Sequence, residues 1–456
     1  MKQHLRSASS TAPGLRVNTR DGARQRKKSR AVPPAAPPST TAPPSTTAPR
    51  TPQEKAHKAA EVAAGRFYDN ASLDLPTLGA PLVQQARVAV ASGCQRYVLC
   101  VHDQSPLHYT HHAAKKDRIV MYSKDDLGYD LASTIVLSDR DGQPLGVPYL
   151  ALAAQGGVHS TRREQPLPRR PWVDEINRTM GHLAQQGFAF EQVHIIDREG
   201  DKLLQLRRFV RCGHTFLIRA NDVRRVTHDG ESRLLSEVEA TLAKEFSYAR
   251  QVRYQGKKAK QYVAETTVTL EQPANRVRQR DGQTTRRKIA GAPLTLRFVL
   301  VQVRDEYDRV LATWRLWTNL PASVDAATIA LWYYWRWRIE SFHKLLKSAG
   351  QEVEHWQQAT VERIARRLLL AVQACVIVWA LQARDDAEAQ GLRTLLVRFS
   401  GHSHQAGAAA TAPALLAGCW NLLAIIDALD DYSEEELRAY AAALHALLGL
   451  SLDPVS

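Results

Sequence analysis

Two short apolar runs in this sequence stop on an aspartate. Residues 96–101 (RYVLCV) read as a buried strand that ends at His102-Asp103, and residues 193–196 (VHII) as another that ends at Asp197. A strand end is rigid, and two neighbouring ends can hold two carboxylates a few ångströms apart. Such a pair repels unless it is protonated or bridged by cations, and its hard oxygen atoms suit Mg2+ or Mn2+. Either aspartate alone is equally an ordinary turn or helix-cap residue. Glu199 and Asp201 compete with Asp197 for the role, although Asp201 reads as a helix-start residue.

A third carboxylate stands in a dense mixture of aromatic and charged residues, YYWRWRIESFHKLLK at 333–347. At roughly 100° per residue, Tyr333, Arg336, Glu340 and Lys347 fall within a sector of about 60° on one helix face. An acid between two cations and a phenol suits neither an apolar core stripe nor an ordinary solvated face. It suits a carboxylate that binds a metal ion while Arg336 and Lys347 hold phosphates.

The elements that must position these groups follow from periodicity. Residues 53–91 are helical in pattern, 131–137 and 146–154 read as strands joined at Asp141-Gly142, and 172–186 as an amphipathic helix. A helix over 203–210 precedes a strand at 215–218 that ends on Arg219. From about 220 to 317 the period shifts towards two, with QYVAETTVTL at 261–270 and LTLRFVLVQV at 294–303 alternating as half-buried strands. A long helical pattern then runs from 324 to 350, and 360–450 is helical with a break at 400–411. The sum is a mixed α/β core interrupted by a β-rich segment.

Tyr333-x2-Arg336-x3-Glu340-x6-Lys347 resembles the complete YREK signature of the insertion-sequence-four family of DDE transposases, relatives of the Tn-five transposase. Asp197-Arg198-Glu199-Gly200-Asp201 is similar to that family's second aspartate motif. Residues 101–105 (VHDQS) resemble its first, departing at Gln104-Ser105, where the family commonly has two threonines. The resemblance covers about residues 53–445. It implies an α/β fold: an RNase-H-like mixed-sheet core with a β-rich insertion and flanking helical segments. It also implies catalysis and metal binding by Asp103, Asp197 and Glu340 with two Mg2+ ions, for which Mn2+ substitutes. Tyr333, Arg336 and Lys347 would position phosphates during cleavage at transposon ends and strand transfer into target DNA. Trp314 resembles a tryptophan that stacks on a flipped base, with Trp317 as a rival, and Arg219 resembles an arginine that holds a distorted DNA hairpin. A core or strand-packing role for either indole, and an ion pair for Arg219, remain open.

The expected division is a disordered basic and Pro-rich tail (1–52), a DNA-contacting helical segment (53–92), the first part of the core (93–219), the insertion (220–320), the Glu-bearing helix (321–370) and a C-terminal helical dimerisation region (371–456). A homodimer in the synaptic complex, transposon-end and target DNA as partners, and a place in the bacterial cytoplasm follow from the same resemblance.

Charge agrees with a polyanionic partner: 61 Lys+Arg against 46 Asp+Glu gives +15 among 456 residues. Lys257, Lys258 and Lys260, with the Arg-rich stretch 276–288 around Asp281-Gly282, read as a DNA track or a solvated hairpin. His108, His111 and His112 cluster without the carboxylate or cysteine pattern of a transition-metal site. Five scattered cysteines, none in a C-x-x-C pair, exclude a disulfide framework or zinc module. The tail repeats Ala-Pro-Pro-Ser-Thr-Thr at 36–41 and 42–47 and cannot build a core. No apolar leader is expected at the N-terminus, and the apolar stretch 368–381 reads as a buried helix rather than a membrane span. Two further classes stay open: an RNase-H-like nuclease without strand transfer, and a DNA-binding regulator derived from a transposase.

Overall fold

The computed structural model describes residues 52–221, 223–280, 283–348, 351–401 and 410–447. The expected tail before Pro52 and the Asp281-Gly282 turn lie outside them.

Two helices, α1 (Pro52–Asp69) and α2 (Leu75–Gly93), lead into β1 (Tyr97–His108), β2 (Leu127–Ser138) and β3 (Pro144–Ala154). Next come α3 (Trp172–Ala184), β4 (Glu191–Ile196), α4 (Leu203–Arg211) and β5 (Thr215–Arg219). These five strands lie in the spatial order β3-β2-β1-β4-β5. β1 pairs antiparallel with β2 and β2 with β3, whereas β4 is parallel to β1 and β5 parallel to β4. That order and those directions are the arrangement of an RNase-H-like core.

Alternation along β1 decides what each face carries. Val98 and Cys100 pack with Ala86 and Val90 of α2 and Leu183 of α3. Leu99 and Val101 point the other way, into the larger core. Each such side chain, fully buried, contributes about 1.5–3 kcal/mol. Asp103 continues the Leu99–Val101 face, two residues on.

The segment after β5 adds β6 (Ser247–Tyr254), β7 (Lys257–Leu270), β8 (Leu294–Arg304) and β9 (Val310–Thr318). These do not make a sheet of their own. β9 runs antiparallel beside β5, with Leu316 opposite Arg219 and Thr318 opposite Leu217, so core and insertion share one sheet. A separate two-stranded ribbon, Ala274–Arg280 with Gln283–Ile289, leaves it after β7.

The expected long helix from 324 is two: α5 (Ala326–Trp335) and α6 (Trp337–Lys347). Arg336 between them keeps right-handed helical dihedrals (φ −49°, ψ −31°), but its N–H reaches back to Tyr333 O, one residue short of the α-helical partner. The axis is thus tightened rather than broken. Four further helices follow, α7 (Val361–Ala383), α8 (Ala387–Phe399), α9 (Ala412–Asp431) and α10 (Glu434–Leu447). α7 and α9 both have the length and hydropathy to cross a membrane. α7, however, is largely buried in the protein, whereas α9 and α10 leave Leu423, Ile426, Leu429, Tyr440 and Leu444 exposed.

The turn between β2 and β3 falls at Asp141-Gly142, as the sequence predicts, and there glycine is needed twice. Gly142 has φ +70°, and a Cβ on it would lie 2.4 Å from the Trp335 ring at the end of α5. Gly142→Ala is expected to destabilise the fold by about 1–3 kcal/mol. Gly156→Ala, with nothing within 4 Å of its Cβ, serves as the control; equal thermal denaturation midpoints for the two variants would contradict this account.

Candidate active site at the strand ends

The register between β1 and β4 sets the first pair of acids. Val101 stands opposite Ile195, the last parallel pair, so Asp103 and Asp197, each two residues further on, lie side by side where β4 ends. β1 does not stop at Asp103 as its sequence suggests but runs on to His108, with Asp103 opposite Ser133 of β2. Asp197 begins a short 3-10 turn, accepting the Glu199 N–H at 2.8 Å. Asp103 accepts the Gln104 N–H at 2.9 Å and is largely buried. Its carboxyl is pushed up to about 6 by burial; Arg336 opposes that rise, and the nearby charges of Asp197 and Glu340 add to it.

Glu340 arrives from the other direction, on the first turn of α6. It is joined to the pair through one guanidinium. Arg336 Nη1 donates to Asp103 Oδ2 at 3.1 Å and Nη2 to Glu340 Oε1 at 2.5 Å. Tyr333 is buried beside the same guanidinium, and burial raises its hydroxyl pKa. Lys347 donates to Pro106 O at 2.5 Å on β1 and pairs with Glu354 at 3.3 Å. The four residues on the expected helix face thus line the seam between helix and sheet, while Trp337, Arg338, Ser341 and Lys344 face solvent.

A cavity of about 270 Å³ opens at the strand ends, lined by Asp103, Asp197, Glu199, Asp130, Arg169 and Tyr122 among others. Asp130 and Tyr122 were missed from sequence. Asp130 does leave a signal, because it is an acid set in the apolar strand LGYDLASTIVLS. Burial raises its carboxyl pKa while Arg169 lowers it. Glu340 does not line this cavity; the Arg336 guanidinium stands between it and Asp103. Among the described residues, no three of His, Cys, Asp and Glu are gathered as a metal site as they stand. The donor chemistry nonetheless suits hard cations: the carboxylates of Asp103, Asp130, Asp197 and Glu199 face one cavity, with that of Glu340 held beside them by a displaceable counter-ion.

The other expected site residues fall as follows. Trp314 on β9 is buried, packed edge-on to Tyr333 at 5.6 Å between ring centroids, so offering its ring to a base would require uncovering it. Trp317 lies on the opposite face, fully buried, and its indole N–H donates to Asp201 Oδ1 at 3.2 Å. Arg219 is half-buried at the end of β5, and among the described residues it forms no ion pair. Asp201 does not start α4, whose N-cap is Lys202. It is consumed instead in a buried clasp, accepting from Arg224 Nη2 at 2.7 Å and Asn221 N at 2.7 Å as well as from Trp317. His108 pairs with Asp126 at 2.8 Å, and His112 packs against the Tyr109 ring.

Behind the acids, His102 and His194 share a contact of 3.0 Å, and His102 also meets Thr134 Oγ1 at 2.9 Å. Burial lowers His102 to about 3 and His194 well below the usual imidazole range, so both are neutral pegs on the face away from Asp103.

The two basic clusters do not form one track. Arg219, Leu316, Val299 and Glu265 lie in line across the sheet, level with the end of β4. Lys257, Lys258 and Lys260 extend past that line on the side of Asp103 and Asp197, whereas Leu270 and the start of the ribbon lie at the opposite edge, roughly 40 Å along the strand.

No protein family and no curated protein matches the chain. Among solved structures, a piggyBac transposase synaptic complex with hairpin DNA is similar at a TM-score of 0.25 and 8% identity, over 65% of this chain and 56% of that one. The match spans little more than half of that protein's length, and a likeness of this degree carries no argument.

Two measurements separate structural from chemical acids. Asp201→Ala leaves a half-buried arginine and a buried indole N–H unpaired and is expected to cost about 3 kcal/mol of stability, measured by chemical denaturation; Asp197→Asn should leave stability nearly unchanged. For Asp103 the folded-state pKa is raised, so its contribution to stability is present at low pH and is lost as pH rises towards and through about 6. In metal-free buffer, Asp103→Asn should therefore gain stability relative to the parent between pH 4 and pH 8. A constant difference across that range would refute the burial of an ionised carboxylate.

Proposed function

We propose that the chain is a DNA transposase of the DDE type, cleaving strands at transposon ends and transferring them to target DNA. The observation that carries this reading is the convergence of Asp103 and Asp197, side by side on neighbouring strands where β4 ends, with Glu340, held to Asp103 through Arg336. The YREK face from which Glu340 and Arg336 project supports the same reading.

In this reading Asp103, Asp197 and Glu340 would hold two Mg2+ ions, or Mn2+ in their place, which supply Lewis acidity and a lowered pKa for an attacking water. The chain's own work is positioning. The β1–β2 ladder fixes Asp103 and the end of β4 fixes Asp197, and the neutral pegs His102 and His194 brace the two strands from behind. Lys347 donates to the Pro106 carbonyl, a weaker acceptor than an entering phosphate, whereas Arg336 is held by the carboxylates of Asp103 and Glu340 and turns to a phosphate as cations take over those carboxylates. As Arg336 turns to a phosphate, Asp103 and Glu340 are released towards the reacting centre. Water oxygen then bonds to phosphorus and the bond to the 3′-oxygen breaks; one proton of the water passes to solvent, and the leaving 3′-oxygen takes up one proton to become the 3′-hydroxyl. The freed 3′-hydroxyl is the nucleophile for strand transfer. Tyr333 packs beneath Arg336 and limits its swing. Arg219, level with Asp197 along the catalytic edge, is placed for a neighbouring phosphate, and Trp314 for a base only if the Tyr333 contact opens. The exposed apolar side chains of α9 and α10 support the homodimer of a synaptic complex.

Glu340→Gln, Asp103→Asn and Asp197→Asn are each expected to abolish cleavage of an end-bearing plasmid in Mg2+ while leaving end binding intact. Normal cleavage by Glu340→Gln would sink the assignment. The same assay separates the neighbouring classes: cutting without reinsertion marks a nuclease, and binding without cutting a regulator.

A further inference from the structure

The hairpin formed by β6 and β7 turns at Gln255-Gly256, both with positive φ (50° and 80°). Its tip carries more cations than its own fold can use. Arg253 stands directly opposite Lys258, and on the other side of β7 Lys260 stands opposite Arg304. Like charges facing each other across a strand pair are destabilising. Arg253, Lys257, Lys258 and Lys260 are exposed, and among the described residues none of them forms an ion pair. By strand alternation Arg253, Lys258, Lys260 and Arg304 share one face, the reverse of the sheet face that carries Asp103 and Asp197, so the tip meets a duplex at the strand-end edge. Two aromatic rings complete it: Tyr262 beneath the Arg304 guanidinium at 4.4 Å, and the exposed Tyr248 edge-on to Tyr262 at 5.8 Å.

The tip is also fixed to the candidate site. Tyr334, next to Tyr333 on α5, donates its hydroxyl to Arg253 O at 2.5 Å, and Gln261 on β7 reaches Ala330 O of α5 at 3.4 Å. Lys260 lies five residues beyond the level of Asp197 and four strands to the side. Those offsets amount to roughly 17 Å and 19 Å, a separation of about 25 Å, or some seven base pairs of duplex.

We propose that this hairpin face is a phosphate-binding edge for duplex DNA, gripping the helix about seven base pairs from the phosphate that is cut. The inference rests on DNA being the partner, as proposed above. A protein partner fits the face less well, since its two tyrosines are flanked by exposed cations rather than by an apolar patch, and lysine is depleted from the centres of protein interfaces. A polyanion needs only the unpaired cations, and binding it removes the cross-strand repulsion.

The test measures affinity of the full chain for a random-sequence duplex over a range of salt. Arg253→Ala/Lys258→Ala/Lys260→Ala should bind about ten-fold or more weakly at moderate salt, and the slope of log affinity against log salt should fall by about 2.7, near 0.9 per lost contact. The charge-keeping set Arg253→Lys/Lys258→Arg/Lys260→Arg should retain the parent slope, and equal melting temperatures show that folding is intact. Arg286→Ala/Arg287→Ala/Lys288→Ala removes the same charge from the far edge. An equal loss in that variant overturns the proposal, because attraction is then diffuse. Unchanged duplex binding by the hairpin variant, or a loss confined to polyglutamate, overturns it as well while leaving the proposed function standing. A parent chain that binds no duplex at all removes both.

Discussion

Two carboxylates side by side on adjacent parallel strands repel each other, and the organisation of this edge of the sheet answers that repulsion. The chain lowers the cost with a guanidinium from the junction of two helices, so the sheet and the α5–α6 pair become electrostatically dependent on one another. The arrangement is economical, because the group that quiets the acids is also the one best shaped to grip a phosphate. Neutral imidazoles behind the strand ends add no further charge to a crowded place.

That dependence also fixes where the insertion goes. β9 must lie beside β5 to bring the chain back to α5 on the correct face, and in doing so it buries Trp317 against Asp201 and Trp314 against Tyr333. The tryptophans therefore act as mortar between the insertion and the two halves of the site. Asp201 shows how closely structural and chemical acids are interleaved: it lies four residues from Asp197, yet its carboxylate is wholly enclosed by donors.

Much of this was legible in the chain. The apolar runs before Asp103 and Asp197 gave two strands, because a fully buried parallel strand has no polar alternation to blur it. The YREK spacing gave the helix face correctly despite the joint at Arg336, since that residue keeps helical dihedrals and no Pro or Gly marks the tightening. Tertiary pairing was less visible. Alternation in 261–270 and 294–303 reveals strands but not their register, so two basic clusters that lie at opposite edges looked like one surface. Nothing local to Asp201 announces Arg224 or Trp317, and although the i,i+4 spacing announces the pairing of Arg336 with Glu340, nothing local announces Asp103 as its second acid.

The sharing of one sheet by core and insertion has an evolutionary side. Asp197 and Glu340 are far apart in sequence, but the chain between them leaves from β5 and returns along β9, its immediate neighbour. Whatever happens further out, in the β6–β7 hairpin or the ribbon, is bounded by that fixed doorway. Such a layout lets a lineage lengthen, recharge or reshape the excursion, and so change what it grips, without re-solving the placement of the acids.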